Sequence, residues 1–135
     1  MSQRLRLEVV TQVRRLVDLE VDEVQLPGTL GALGVLPGHT PLLTSLGIGE
    51  LMYRTDHREN YLAIQWGFAE VLPDRVTVLA TVAETPEEID VGQAERERAE
   101  AESALKTADM VELERMRAKL QMAITRLQVA RRRRI

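Results

Sequence analysis

Residues 28–51 read Gly28-Thr-Leu-Gly-Ala-Leu-Gly-Val-Leu-Pro-Gly-His-Thr-Pro-Leu-Leu-Thr-Ser-Leu-Gly-Ile-Gly-Glu-Leu51, and this stretch decides the fold. Glycine recurs at 28, 31, 34, 38, 47 and 49, with Pro37 and Pro41 interleaved, so the backbone is repeatedly offered turns or positive φ and no helix can run through it. Leu30, Leu33, Val35, Leu36, Leu42, Leu43, Leu46 and Ile48 make it too apolar for a solvated linker. The pattern predicts short core strands joined by tight corners, as a β-sandwich needs.

The flanking sequence keeps the two-residue period of half-buried strands. Leu5, Leu7 and Val9 alternate with Arg4, Arg6 and Glu8, and Leu19 and Val21 alternate with Asp18, Glu20 and Asp22. Val24 and Leu26 continue after one slip. Leu62, Ile64, Trp66 and Phe68 form one further run, and Val76, Val78, Ala80 and Val82 another. The polar segment 55–60 and the turn Pro73-Asp74 separate neighbouring runs as hairpin connections would.

After Glu84 glycine nearly vanishes and Ala, Glu, Arg, Leu and Met take over, which marks a domain boundary. The expected organisation is α+β, an antiparallel sandwich or flattened barrel over 1–84 followed by an antiparallel two-helix hairpin over 85–135. Thr85-Pro-Glu-Glu88 has the form of a capping box with proline at the first helical position, and Asp90 offers a second start. Asp109 is the expected cap of the second helix. On that helix Leu113, Met116, Leu120, Ala123, Leu127 and Ala130 follow a 3-4 spacing, a seam one side chain wide. The first helix answers with Ala94, Ala101, Ala104 and Leu105. So narrow a seam predicts a weakly fastened appendage, and weakly fastened elements move.

Charge is divided between the helices. Residues 90–105 carry five acids and two arginines, a balance of −3, whereas residues 110–135 carry eight bases and two acids, a balance of +6. Folded together they attract, and apart the second offers a basic rod to an acidic partner.

Several chemistries find no support. The chain has no cysteine and two histidines, so thiolate sites and thiol nucleophiles are excluded and a metal would need clustered carboxylates, which here lie along helix faces. Gly28, Gly31 and Gly34 have the wrong spacing for a dinucleotide fingerprint, and no phosphate loop is present. His39 lies in a tight Pro-Gly-His-Thr-Pro loop without an announced partner or nucleophile, which favours a structural or interface role over catalysis. His57 reads as solvated surface. The run Arg131 to Arg134 could bind nucleic acid, but no aromatic residue follows Phe68 to stack on bases, so a solvated helix terminus is preferred. No signal peptide is apparent, and no segment approaches the roughly 20 apolar residues that span a bilayer. A protein reaching the membrane only through a partner is expected.

The block Gly31-Ala-Leu-Gly-Val-Leu-Pro-Gly-His-Thr-Pro-Leu-Leu, with Trp66-Gly-Phe-Ala-Glu-Val and Val76-Thr-Val-Leu-Ala, resembles the epsilon subunit of the bacterial F-type rotary ATP synthase over nearly the whole chain. The resemblance implies a non-catalytic central-stalk protein at the cytoplasmic face of the membrane. Its sandwich would bind the gamma subunit and the c-ring, with Gly31, Ala32, His39 and Thr40 as candidate ring contacts. Its hairpin would extend into the catalytic head, meet the beta and alpha subunits and inhibit ATP hydrolysis through Arg115, Arg117, Lys119, Arg126, Arg131, Arg132 and Arg133.

Two positions depart from the family pattern. Ala32 stands where a carboxylate is frequent, which leaves the ring contact more to His39 and backbone groups. The nucleotide-sensing frame survives as Ile89, Asp90, Gln93 and Ala94, but Gln93 replaces an arginine, Glu100 replaces a second cation and Met122 a third, while Arg126 remains. The resemblance therefore implies no cofactor, and weak or absent ATP binding. Rival readings are a free-standing sandwich adaptor with a coiled-coil dimerising helix, and a hydrolase built on His39.

Overall fold

The computed structural model describes residues 3–133, so Arg134 of the basic run lies outside the described residues. Seven strands come first: β1 Leu5–Val10, β2 Arg15–Val21, β3 Glu23–Gly28, β4 Gly31–Val35, β5 Leu42–Thr55, β6 Arg58–Val71 and β7 Arg75–Glu84. A 3-10 turn, Pro86–Glu88, leads to α1 Val91–Leu105 and α2 Met110–Ala130. The glycine-rich stretch thus supplies the end of β3, the edge strand β4 and the first half of β5.

The strands form one sheet in the order β2-β1-β7-β6-β5-β3-β4, folded on itself around a core that includes Leu5, Leu7, Val24, Leu26, Leu46, Leu51, Leu62, Ile64 and Val71. Pairing is antiparallel with one exception, the parallel ladder in which Arg6–Val10 of β1 lie beside Arg75–Leu79 of β7. The sequence pattern carried no sign of that parallel pair. The segment expected as a loop over 55–60 is shorter in the structure. Thr55 pairs with Arg58 across a two-residue turn in which Asp56 and His57 both have positive φ, 52° and 65°.

Alternation changes phase at one level in three neighbouring strands. Leu46 and Leu51 of β5, Ile64 and Ala69 of β6, and Ala80 and Ala83 of β7 all face the main core although the members of each pair are an odd number of positions apart. Trp66 lies at this level with φ 52°, and a side chain at Gly67 would bring its Cβ within 2.0 Å of the Leu79 carbonyl oxygen. The close approach of β6 to β7 here admits only glycine. The expectation that Trp66 and Phe68 share the buried face of Leu62 and Ile64 is therefore wrong: they are 46% and 58% exposed. Val82 likewise leaves the phase of Val76 and Val78 and packs on the other side.

Both candidate helix starts are used. The Glu88 carboxylate accepts the Thr85 N–H at 2.9 Å, closing the short turn, and Asp90 then caps α1 by accepting the Gln93 N–H at 3.0 Å. Asp109 caps α2 through the Glu112 N–H at 2.9 Å. The helices pack antiparallel, with Ala94 and Ala101 of α1 buried.

Candidate functional site

The hairpin lies against the sandwich through a second, smaller core. Ile48 of β5 and Ala63 of β6 meet Ile89, Met122, Val129 and Ala130, with Tyr61, Val82, Val91 and Ala118 packed around them. This gives α2 two apolar rows. One is the predicted seam, of which Ala123 is buried and whose last member, Ala130, joins this second core. The other runs Ala118, Met122, Thr125, Val129 toward the sheet and was not anticipated. The sequence does signal it, because those positions are spaced 4, 3 and 4, in the same rhythm as the seam. The hairpin is accordingly better fastened than a single seam implies. Gln121 adds a polar contact, its amide donating to the Ile48 carbonyl at 2.9 Å.

Around this core the basic residues divide into two groups. Arg126 is only 23% exposed; its Nε is 2.7 Å from Glu84 at the end of β7 and its second nitrogen 3.4 Å from Glu97 of α1. Arg132 is 3.4 Å from Glu50 of β5 and lies 4.1 Å from the centroid of the Tyr61 ring. The Tyr61 hydroxyl donates to Glu59, which with partial burial raises its pKa and keeps the ring neutral beneath the cation. Arg133 donates to the Pro86 carbonyl at 2.8 Å and to the Ile89 carbonyl. None of Glu50, Glu84, Glu97 and Tyr61 was singled out from sequence, since their pairing depends on how the hairpin lies.

The other basic residues form no ion pair with the sandwich among the described residues. Arg115 pairs with Glu112 of its own helix at 2.8 Å, and Lys119 with Glu100 of α1 at 3.0 Å. Arg117 and Arg131 are exposed and have no ion-pair partner among the described residues. The seven residues read as one basic surface are therefore not presented together in this conformation.

The residues expected to form a degenerate nucleotide frame have structural roles here. Ile89 is buried in the second core, Ala94 is buried between the helices, Asp90 caps α1 and Gln93 is exposed. Arg126 is held between two carboxylates.

The candidate ring contacts gather at one end of the sandwich. Gly31 and Ala32 follow the β3–β4 turn, whose Leu30 is fully exposed. His39 and Thr40 occupy the next loop, tied down by the Gly38 N–H on the Pro73 carbonyl at 2.7 Å and the His39 N–H on the Leu36 carbonyl at 3.1 Å. Gly38 has φ 87°, which glycine alone adopts freely. His39 Nδ1–H donates to the Thr40 carbonyl at 2.6 Å.

On the outer face beyond the phase change, Phe68 lies beside Leu79, and Leu79 beside Val10, in the register of three adjacent strands. Leu79 is 55% exposed and nearby Leu43 72%. Among the described residues there is no cluster of His, Asp and Glu able to hold a metal ion, and no helix long and apolar enough to cross a membrane.

Comparison with known proteins fits this arrangement. The family model described as ATP synthase, Delta/Epsilon chain, beta-sandwich domain, matches residues 4–86, and that for the long alpha-helix domain matches residues 87–131. ATP synthase epsilon chain 2 of Syntrophotalea carbinolica is 48% identical over 132 residues, 96% of each chain. The ATP synthase epsilon chain of Geotalea uraniireducens is 44% identical over the same length and shares. A chain of the Euglena gracilis mitochondrial ATP synthase superposes with a TM-score of 0.82 at 23% identity, over 94% of this chain and 81% of that one. One from the Tetrahymena thermophila mitochondrial ATP synthase central stalk and c-ring does so with 0.68 at 11%, over 96% and 98%. These two distant structures establish shared fold. With both domain models matched in order and nearly half of all positions shared with bacterial epsilon chains, the chain belongs to the ATP synthase delta/epsilon chain family, as a non-catalytic central-stalk subunit.

Proposed function

We propose that the chain joins the rotor shaft to the membrane ring of a proton-translocating ATP synthase at the cytoplasmic face, and that its hairpin restrains ATP hydrolysis. The exposed Phe68 and Leu79, flanked by the half-buried Val10 and with Leu43, are the surface offered to the gamma subunit, because a stalk partner can bury such apolar area without disturbing the core. The loop end carrying Gly31, Ala32, His39 and Thr40 faces the c-ring, so ring rotation passes through the sandwich to the shaft. Contact with the membrane is made through the complex alone.

The observation that carries the inhibitory half is the fastening of the hairpin. Two helices are held to a seven-stranded sheet by one small core, the Gln121 contact and three arginines, while the second helix carries a large positive balance. Such an element can leave as a unit and present cations to the beta and alpha subunits. The coiled-coil adaptor reading is disfavoured because α1 already fills the α2 seam within the same chain. The test is ATP hydrolysis by the reconstituted complex carrying a chain truncated after Glu88. Hydrolysis several-fold above that of the full-length complex is expected, with assembly intact; an unchanged rate with intact assembly would refute inhibition.

A further inference from the structure

We infer that the hairpin is self-latched: Arg126, Arg132 and Arg133, at the C-terminal end of α2, hold the helices down, and the docked form thereby withdraws the charges that an acidic partner would use. This rests in its second half on the proposed inhibitory role; the latch itself does not.

Three observations place the latch at that end. Arg126 joins three elements at once, through Glu84 of β7 and Glu97 of α1, with all three side chains only 23% to 27% exposed. At such burial water and salt screen the pair less than on an open surface. Arg132 reaches β5 and β6 through Glu50 and the Tyr61 ring. Arg133 donates to the carbonyls of Pro86, which also accepts the Ile89 N–H, and of Ile89 just beyond the 3-10 turn. By contrast, among the described residues Arg115, Arg117, Lys119 and Arg131 make no ion pair with the sandwich.

The fixed side of the joint is equally defined. Arg14, between β1 and β2, pairs with Glu88 and donates to the Ala83 carbonyl at 3.3 Å, so the 3-10 turn belongs mechanically to the sandwich. The helices swing; the turn stays. An acidic surface approaching the docked chain first meets Arg115, Arg117 and Lys119. To engage Arg126 it must displace Glu84 and Glu97, so binding and undocking are coupled and each favours the other.

The absence of cysteine makes the latch measurable in the full chain. Cysteines at exposed positions, Arg58→Cys at the far end of the sheet and Lys106→Cys at the end of α1, take a donor and acceptor dye whose distance separates docked from undocked hairpins. Glu84→Gln frees Arg126 without removing its charge. It is expected to raise the ratio of undocked to docked molecules about tenfold, the scale between exposed and buried ion pairs. Glu97→Gln is expected to raise it by less, and added salt to raise it in the unaltered chain. If neither variant nor salt moves the distribution while Met122→Ala does, the fastening is purely apolar and the latch is overturned. In the reconstituted complex Glu84→Gln should also deepen inhibition of hydrolysis. An opened hairpin with unchanged hydrolysis leaves the latch standing and overturns its coupling to an inhibitory partner.

Discussion

Arg14 and Glu88, seventy-four positions apart, form a two-pronged ion pair in which the guanidinium meets one carboxylate oxygen at 2.6 Å and the other at 2.9 Å. The hydrogen bonds from Arg14, reinforced by the Thr85 backbone, lower the Glu88 pKa to about 2 from its ordinary 4.5. A carboxyl whose pKa is lower when folded contributes stability that is present above the unfolded value and lost as pH falls through the folded one. Unfolding free energy measured by denaturant titration should therefore drop between pH 4.5 and about 2, and Glu88→Gln should remove part of that slope. Because the pair is over a third exposed on the arginine side, the change is modest. Identical pH profiles for both proteins would show that the pair does not anchor the turn.

The second core predicts a separable loss. Met122 is 6% exposed between α2 and the sheet, and truncating a buried methionine to alanine costs about 2 to 5 kcal/mol. Since Met122 touches no residue of the main core, the penalty falls on docking and not on the sandwich. Amide exchange in Met122→Ala should accelerate strongly along α2 while β1, β6 and β7 keep their protection. Uniform acceleration across both regions would mean that sandwich and hairpin unfold together.

The sandwich and the two capped helices were legible because local signals coincide with the result. Period-two alternation in Leu5, Leu7 and Val9, glycine punctuation over 28–49, and Asp90 and Asp109 as caps all act within a few residues. What escaped was set by longer relationships. The phase change at Trp66 follows from the way β5, β6 and β7 bend together, so a straight reading of alternate residues places Trp66 and Phe68 inside. The parallel β1–β7 ladder joins residues 69 positions apart in the sequence. The latch residues Glu50, Glu84 and Glu97 look like ordinary solvated acids until the hairpin is laid on the sheet. The basic helix was visible as charge, while its division into cations paired with the sandwich and cations paired elsewhere or exposed was not.

The exposed row on the outer face supports a prediction about assembly. Phe68 and Leu79 lie directly across from each other on β6 and β7, and both are more than half exposed. A contact of that kind at the centre of an interface is worth about 2 kcal/mol or more per large side chain. Phe68→Ser with Leu79→Ser is expected to weaken association with the gamma subunit about a hundredfold in a pull-down or titration, while the melting temperature hardly changes. Undiminished binding would place the gamma contact elsewhere on the sandwich.

Nucleotide affinity is the last expectation open to direct measurement. A phosphate group bound at the start of the hairpin would need cations, and at the position where the resemblance implies an arginine this chain carries the neutral, exposed Gln93. The one retained cation, Arg126, already faces Glu84 and Glu97 at 2.7 and 3.4 Å, so an incoming phosphate would meet two carboxylates and must displace them. Each missing charge-assisted hydrogen bond removes about 1.5 to 3 kcal/mol, and repulsion by the acids adds to the deficit. Calorimetric titration of the full chain with ATP should give no saturable heat at physiological concentrations. Gln93→Arg combined with Glu97→Gln restores one cation and removes one anion, and should raise affinity about a hundredfold, the equivalent of two such bonds at the low end of their range. Tight binding by the unaltered chain would mean that Arg126 exchanges its carboxylate partners for phosphate more readily than the geometry of the docked hairpin implies.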